Sequence, residues 1–227
     1  MNLSSESGTV FIVDDDASFL KSVSRLLRAT GYNVLTFDSA NKFLEQLVPE
    51  MSGCVLADLQ MPGMNGLELQ EALAKSANPL PVVFLSGRGD IPTTVQAMRR
   101  GAEDFLTKLS PKEKLLDAIS RALTRGAQER KERGRLEELR GRFDGLTARE
   151  LEVLEHVMRG ELNKQIGDDL GINERTVKLH RTNLTRRLQV RSVAELTRLV
   201  EAAGLFSRAA RQSDFSDFTA GLTLNLP

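Results

Sequence analysis

The sequence predicts an α/β domain with a doubly wound, five-stranded parallel sheet, followed by an all-α domain of four helices. Over residues 1–124, five short apolar runs alternate with amphipathic stretches, which is typical of a parallel sheet covered by helices on both faces. Residues 125–142 are highly charged, and residues 143–203 have helical patterns only. A chain of 227 residues has room for two such domains.

Each element of the first domain follows from the spacing of its apolar residues. Continuous apolar runs predict strands at 10–13, 32–36, 54–57, 81–85 and 104–107. Apolar residues at helical spacing predict helices at 18–27, 40–48, 67–73, 94–100 and 112–123. Gly31 and Gly101 lie where two of these helices would end. In a doubly wound fold, ligands bind at the carboxyl ends of the strands.

Polar side chains follow four of the predicted strands and should meet at one edge of the sheet: Asp14, Asp15 and Asp16, then Asp58, Ser86 and Lys108. Asp16 is better explained as an acid at a helix N-terminus. Clustered carboxylates repel one another unless a cation lies between them, and hard oxygen ligands suit Mg²⁺. A lysine and a serine beside them could bind an added anion.

Four segments resemble the receiver domain of two-component response regulators, over about residues 8–124: Ile12 to Asp16, Asp58 to Gly66, Ser86-Gly87 and Gly101 to Lys108. The resemblance implies that Asp58 accepts a phosphoryl group from a sensor histidine kinase. It implies four Mg²⁺ ligands, namely Asp14, Asp15, Asp58 and the backbone carbonyl of Gln60. It also implies that Ser86 and Lys108 contact the phosphoryl oxygens and that Phe105 is an aromatic switch residue, for which plain core packing is the alternative.

One residue departs from the family pattern. The family has proline after the conserved lysine, joined by a cis bond, and this chain has Leu109. A cis bond before a residue other than proline costs about 2.5–4 kcal/mol, against about 0.5–1 kcal/mol before proline. The loop is therefore either trans and reshaped or strained, and the position of Lys108 depends on which.

Charge and cysteine content restrict the class of protein. The 31 basic and 31 acidic residues cancel, but residues 174–191 carry six basic residues and a single acid. Such a block indicates a nucleic-acid partner or a solvated helix face. The single cysteine, Cys54, excludes a disulfide within the chain, and no apolar run reaches the roughly 18–20 residues that cross a bilayer. Since no secretory signal is visible either, we expect a cytoplasmic protein without membrane association.

Residues 125–142 are predicted as a mostly helical linker that extends the fifth helix. Favourable i,i+4 charge pairs support the helix, whereas Gly126, Gly134 and Gly141 each weaken it by about 1 kcal/mol. A hinge for signalling and a simple spacer both fit this pattern.

The second domain, residues 143–203, begins with a capping box in which Thr147 is the N-cap and Glu150 the third helical residue. Asn163 is predicted to cap a short helix that ends at Gly171, and Asn173 to cap a basic helix over 174–188. A fourth helix covers 193–203. A short helix, a turn and a basic helix together make a helix-turn-helix.

The basic helix has an apolar face and a polar face. In this motif such a helix enters the major groove, which predicts that five residues read bases: Arg175, Lys178, Leu179, Thr182 and Arg186. Four flanking residues are predicted to contact phosphates: Lys164, Thr176, Arg181 and Arg187. His180 is either a phosphate contact or a packed residue, His156 is interpreted as structural, and neither histidine has an evident metal-ligand partner.

Residues 146–200 resemble the LuxR-type helix-turn-helix, through Asn163-Lys164, Leu170 to Ile172 and Arg175 to His180. A receiver joined to this domain resembles the NarL/FixJ family of transcriptional regulators. The resemblance implies a homodimer formed on phosphorylation, promoter DNA as partner, RNA polymerase as a further candidate partner, and no enzymatic activity beyond slow self-dephosphorylation. Residues 204–227 have no helical pattern and are expected to be a flexible tail.

Two other classes of function are alternatives. A Mg²⁺-dependent phosphatase or phosphotransferase could use Asp58 as its nucleophile, but the chain has no evident substrate cap. A regulator that binds a small molecule would explain the helix-turn-helix but not the acidic cluster.

Overall fold

The computed structural model describes residues 8–87 and 91–205 and divides the chain into two compact units. The first unit comprises residues 1–130 and the second begins at Lys131. The first contains β1 (Thr9–Val13), α1 (Ala17–Ala29), β2 (Asn33–Phe37), α2 (Ala40–Glu45), β3 (Gly53–Asp58), α3 (Gly66–Lys75), β4 (Val82–Ser86), α4 (Ile91–Arg99), β5 (Asp104–Thr107) and the start of α5 (Lys112–Gly141). The second contains α6 (Ala148–Met158), α7 (Asn163–Leu170), α8 (Glu174–Arg187) and α9 (Val193–Ala202).

The five strands form one parallel sheet in the order β2-β1-β3-β4-β5. Successive residues of a strand enter opposite faces: Phe11 and Val13 belong to one buried cluster, whereas Val10 and Ile12 belong to another. Both faces of the sheet are therefore buried, and the predicted doubly wound fold is confirmed. The strands end together at the edge where β1, β3, β4 and β5 deliver their polar residues.

The helix α2 is shorter than predicted, because it ends at Glu45 and not at 48. Proline disfavours the helical conformation of the residue before it, so Pro49 accounts for Val48 being outside the helix, but not for the end at Glu45. Asp16 is the N-cap of α1, where its Oδ1 accepts hydrogen bonds from the backbone N–H groups of Ser18 and Phe19. Asp16 is thus the helix-capping acid that the sequence indicated.

The helix α5 continues through the predicted linker to Gly141, and the boundary between the two units lies within it. Gly126 packs closely against Pro81, and a Cβ atom at this position would lie 3.1 Å from the proline ring. At Gly134 a Cβ atom would meet nothing within 4 Å. Of the helices in the described ranges, none is both long and apolar enough to cross a membrane.

The second unit packs its four helices around one buried cluster that includes Phe143, Leu154, Ile166, Leu184 and Val200. The predicted capping box is present: Glu150 Oε2 accepts from the Thr147 N–H at 2.9 Å, and the Glu150 N–H donates to Thr147 Oγ1 at 3.3 Å. The helical second domain is confirmed.

The N-cap predicted for α7 is wrong by one residue. Leu162 occupies the cap position, and its N–H donates to Gln165 Oε1 at 2.8 Å. Asn163 is the first helical residue, and its Oδ1 accepts instead from Arg181 at 2.9 Å. The glutamine supplies the reciprocal half of a capping box, so the helix can begin at a residue without a polar side chain. Asn173 caps α8 as predicted.

Three arginines of the second unit donate to carbonyls at helix C-termini, where backbone acceptors lack partners within the helix. Arg149 donates to the Leu170 carbonyl at the end of α7. Arg142 donates to the Leu188 carbonyl at the end of α8, and Arg140 Nε donates to the Ala203 carbonyl at the end of α9 at 3.1 Å. Two of these three donors come from the last residues of the predicted linker.

Six helices in the described part of the chain end in the same way, with a left-handed residue one or two positions after the last helical residue and a hydrogen bond that closes a Schellman motif. The left-handed residue is glycine after α1, α4, α6, α7 and α9: Gly31, Gly101, Gly160, Gly171 and Gly204. After α8 it is Gln189, with φ of 55°. There the Val190 N–H donates to the Thr185 carbonyl at 3.0 Å.

Candidate functional site

The structure brings Asp14, Asp58 and Lys108 into direct contact at the carboxyl edge of the sheet. Lys108 Nζ lies 2.6 Å from Asp14 Oδ2 and 2.9 Å from Asp58 Oδ2. Both carboxylates are buried, with 1% and 7% of their residue surfaces exposed. A buried charge is costly unless it is paired, so these three groups stabilise one another in the resting state.

Asp14 carries a buried acceptor that lacks a hydrogen bond. Its Oδ1 accepts from the Asp16 N–H at 2.9 Å. Its Oδ2 is close to the Lys108 ammonium, but the angles do not satisfy a hydrogen bond and no other donor in the described residues reaches it. Burial raises the pKa of Asp14 above its ordinary value, although Lys108 opposes that shift. The Lys108 charge is therefore the partner of this oxygen, and a metal ion that bound here would have to displace it.

Lys108 is held from two sides. Burial by itself would lower its pKa, but its contacts with Asp14 and Asp58 outweigh burial and raise the pKa, so the side chain stays charged. On another side, Lys108 Nζ lies 4.4 Å from the centre of the Phe19 ring, within range of a cation–π interaction. Sequence patterns did not indicate that Phe19 contacts Lys108, because the two side chains meet only through the packing of α1.

The Lys108–Leu109 peptide bond is trans. Of the two alternatives for this loop, a reshaped trans loop and a strained cis bond, the structure has the trans loop. The turn is closed by the Ser110 N–H, which donates to the Thr107 carbonyl at 2.9 Å, and by the Ser110 hydroxyl beside the Thr107 hydroxyl at 3.1 Å. Leu109 itself is 93% exposed. The trans loop nevertheless delivers Lys108 to both carboxylates.

Ser86 and Phe105 lie next to this cluster. Ser86 is buried at the end of β4, and its carbonyl accepts from the Lys108 N–H at 2.9 Å. Phe105 is partly buried on β5, with its ring centre 6.2 Å from that of Phe84. The roles predicted for Ser86 in phosphoryl contact and for Phe105 in switching stay predictions.

The donor set fits Mg²⁺. Asp14, Asp15 and Asp58 each offer a carboxylate oxygen, and these three atoms lie within 4.8 Å of one another. Asp15 and Gln60 line an open cavity of about 550 Å³ beside them, together with Asn65 and Thr93. Clustered carboxylate oxygens and room for water are what a hard divalent cation needs.

Gly66, at the start of α3, keeps the backbone close to the acceptor. A Cβ atom at this position would lie 2.5 Å from the Asp58 carbonyl and 2.9 Å from the Phe84 ring. Any larger residue would displace the end of β3, which carries Asp58. Gly66 belongs to the segment that resembles the receiver family, but only the structure shows why a glycine is needed there.

In the second unit, the five predicted base-reading residues are all exposed on α8: Arg175, Lys178, Leu179, Thr182 and Arg186. The opposite face is buried through Val177 and Leu184. Lys178 Nζ pairs with Glu174 at 2.8 Å, and this contact lies in solvent. The surface that α8 presents is therefore polar and basic with one large apolar residue, Leu179.

The four predicted phosphate contacts differ in their surroundings. Lys164 is exposed near the N-terminus of α7. Arg181 donates to Asn163, and the Thr176 hydroxyl donates to Asn173. Arg187 donates to the Gly145 carbonyl, and its Nε lies 3.5 Å from the buried carboxylate of Glu150. Arg187 thus has a structural role that sequence analysis missed, because residue 145 is distant along the chain.

No metal-ligand partner for either histidine was evident from the sequence, but the structure places two carboxylates beside His156. Its Nδ1 lies 2.5 Å from Glu161 Oε2 and 3.8 Å from Asp169 Oδ2. The three side chains come from α6, the following turn and α7, so that their grouping depends on the fold.

The chain matches two known families. Residues 10–120 match the response regulator receiver domain, and residues 144–200 match the luxR family of bacterial regulatory proteins. The response regulator protein TodT of Pseudomonas putida is 40% identical over 200 residues, which is 88% of each chain. Nodulation protein W of Bradyrhizobium diazoefficiens is 36% identical over 209 residues, which is 92% of each chain.

Solved structures of response regulators are also similar to this chain. The response regulator StyR has a TM-score of 0.69 and 49% identity, over 85% of this chain and 98% of that chain. Full-length FixJ from B. japonicum has a TM-score of 0.54 and 33% identity, over 89% of this chain and 100% of that chain.

Fold, site and relatives define a two-component response regulator, in which a receiver domain is followed by a LuxR-type DNA-binding domain. More narrowly, the chain belongs to the NarL/FixJ family of transcriptional regulators.

Proposed function

We propose that this regulator is switched by phosphorylation of Asp58, that a sensor histidine kinase donates the phosphoryl group with Mg²⁺ present, and that phosphorylation promotes dimerisation and promoter binding. The observation that carries the proposal is the contact of Lys108 with both Asp14 and Asp58. This cluster has a nucleophile, a cation for the incoming anion and carboxylate oxygens for a metal, within a chain that also has a DNA-binding domain.

In the proposed step, an oxygen of Asp58 attacks the phosphorus atom. An O–P bond forms as the P–N bond to the kinase histidine breaks, and the leaving imidazole takes a proton from solvent. Asp14, Asp15, Asp58 and the Gln60 carbonyl would hold Mg²⁺, which orients the phosphoryl group and offsets its charge. Lys108 would exchange its contact with Asp58 for a phosphoryl oxygen, and the Ser86 hydroxyl would donate to another.

The added charge of about −2 would then change the loops that carry these residues. The Lys108 N–H is bonded to the Ser86 carbonyl, so a shift of either residue moves the ends of both β4 and β5. Phe105 lies near this link on β5 and would change its packing against Phe84. This supports a switch that starts at Asp58 and ends on the surface of the receiver domain.

The first prediction is that Asp58→Asn abolishes phosphoryl uptake and leaves the fold intact, because the amide keeps the shape but is not a nucleophile. Incubation with acetyl phosphate and Mg²⁺, followed by intact mass measurement, should give one added phosphoryl group on the natural chain and none on the variant. Asp38→Asn, at an exposed residue, is the matched control and should take up label normally. Label on the Asp58→Asn chain would show that another residue is the acceptor.

The same experiment separates the regulator from the alternative enzyme. A regulator should accumulate the phosphorylated form over minutes, since slow self-dephosphorylation is its only hydrolytic activity. Rapid consumption of acetyl phosphate without accumulation would instead indicate a phosphatase.

A further inference from the structure

We infer that His156, Glu161 and Asp169 form a binding site for a transition-metal ion of the Zn²⁺ class, in the DNA-binding unit and separate from the receiver site. One imidazole nitrogen and two carboxylate oxygens lie within 4.8 Å of one another. One nitrogen with two oxygens is a ligand set that Zn²⁺ accepts, with water completing the coordination.

The backbone fixes two of the three ligands relative to each other. Gly160 ends α6 in a Schellman motif, in which the Glu161 N–H donates to the His156 carbonyl at 3.2 Å. This hydrogen bond brings Glu161 back over the last turn of α6, with its side chain beside the His156 ring. Both side chains are largely shielded from solvent, so their meeting does not result from two mobile surface groups.

The third ligand comes from another helix. Asp169 lies near the C-terminus of α7 and its side chain is 60% exposed, with its Oδ2 at 3.8 Å from His156 Nδ1. Donor atoms bound to one Zn²⁺ at about 2.0–2.2 Å in tetrahedral geometry lie roughly 3.3 Å apart. The His156–Glu161 distance would have to open by about 0.8 Å and the Asp169 distance to close by about 0.5 Å, on the same geometry. An exposed aspartate side chain can make such an adjustment.

The protein balances the charges at this site only in part. A single ring nitrogen can share its proton with only one of the two carboxylates. A neighbouring cation, Arg159, is 3.9 Å from Glu161 Oε1 and already pairs with Glu155. A divalent ion would satisfy both carboxylates and the ring at once, and the nitrogen donor favours Zn²⁺ over Mg²⁺.

Occupation of the site would join the end of α6 to α7, the first helix of the helix-turn-helix. Since α7 packs directly against α8, a metal ion there would stabilise the part of the unit that presents α8. This site does not depend on Asp58 or on phosphorylation.

The test is a calorimetric titration of the full chain with ZnCl₂ in excess Mg²⁺. We expect a Zn²⁺ site that is weakened at least about tenfold by His156→Ala and by Asp169→Asn, since each removes a ligand. His180→Ala removes the other histidine of the chain and should leave this site unchanged. Zn²⁺ at about 100 times its dissociation constant should also raise the unfolding midpoint of the second unit by at least roughly 5 °C.

Identical titrations of the natural chain and both ligand variants would overturn the inference. It would also fail if Zn²⁺ bound only at millimolar concentration, or if His180→Ala removed the same site. Asp169→Asn changes an exposed side chain, so it keeps the test informative even where His156→Ala lowers stability.

Discussion

Lys178 is an exposed basic residue on the surface that α8 presents. Its pair with Glu174 lies in solvent, and such i,i+4 pairs contribute only about 0.3–0.5 kcal/mol, so DNA can replace it at little cost. We predict that Lys178→Ala weakens binding to a selected promoter duplex by about 1–3 kcal/mol and relaxes preference at one base position. Competition between the selected duplex and random DNA, at several salt concentrations, measures this.

Lys164→Ala is the matched comparison for a phosphate contact. It should weaken binding to both duplexes alike and lower the salt slope by about 1. Arg187→Ala is less suitable, because it also removes the contacts with Gly145 and Glu150 and would lower the stability of the unit. If Lys178→Ala weakened both duplexes equally, α8 would not read sequence through this residue.

Cys54 is predicted to be chemically inert in the folded protein. Burial in the sheet raises the pKa of its thiol to about 12, so at pH 8 only about one molecule in ten thousand carries the reactive thiolate. Iodoacetamide at pH 8 should therefore add no mass to the native chain and one carbamidomethyl group after denaturation. Fast labelling of the native chain would mean that the first unit opens locally.

Single residues were predictable where strand ends or caps fix them. Asp14, Asp58 and Lys108 follow strands of one sheet, and the order of a doubly wound fold places those ends together. Phe19 and Gly66 were not predictable, because their importance depends on atoms distant along the chain. The metal-type grouping around His156 was missed for the same reason.

The helix ends give a prediction at the scale of elements. Five helices of the described chain are followed by glycine with positive φ, and α8 is followed by Gln189, whose Cβ makes that conformation sterically unfavourable. Gln189→Gly should stabilise the second unit by about 0.5–1 kcal/mol, because glycine has no Cβ to clash in this conformation. Urea unfolding of the two chains measures the difference.

Gly171→Ala is the reverse change at the equivalent position of α7 and should destabilise the unit. A Cβ atom at Gly171 would meet nothing within 4 Å, so the backbone conformation alone is tested there. A destabilised Gln189→Gly chain would show that the glutamine side chain makes a contact that outweighs the strain.

Element types were predictable from apolar spacing, and element ends less so. All five strands and the nine helices of the described residues coincide with predicted segments. Pro49 excludes Val48 from α2, and a glutamine acting across one turn sets the start of α7. The exact end of a helix can depend on one hydrogen bond or one steric clash. The spacing of apolar residues contains no information on either.

At the scale of the whole molecule, phosphorylation is predicted to convert a monomer into a two-fold dimer. Each chain has one recognition helix, and two-fold proteins read two half-sites about one helical turn apart. Sedimentation velocity should give monomer mass for the unmodified chain and dimer mass after acetyl phosphate and Mg²⁺. Asp58→Asn should stay monomeric under both conditions.

A dimer of equal strength with and without phosphorylation would contradict this coupling.

The two-domain organisation itself was predictable, since the change from alternating to purely helical patterns is visible in the sequence. The expected domain bounds stay predictions, and the expected flexible tail falls mostly on residues 206–227, which lie outside the described residues.

The bonds from Arg140 and Arg142 to the ends of α9 and α8 bear on where the DNA-binding part can be cut from the chain. A fragment starting at residue 143 would keep α6 to α9 but would lose both donors, along with Leu139, which packs against the buried cluster. A fragment starting at Lys131 retains Leu139, Arg140 and Arg142. The charged stretch before residue 143 is thus part of the smallest piece expected to hold α8 in place by itself.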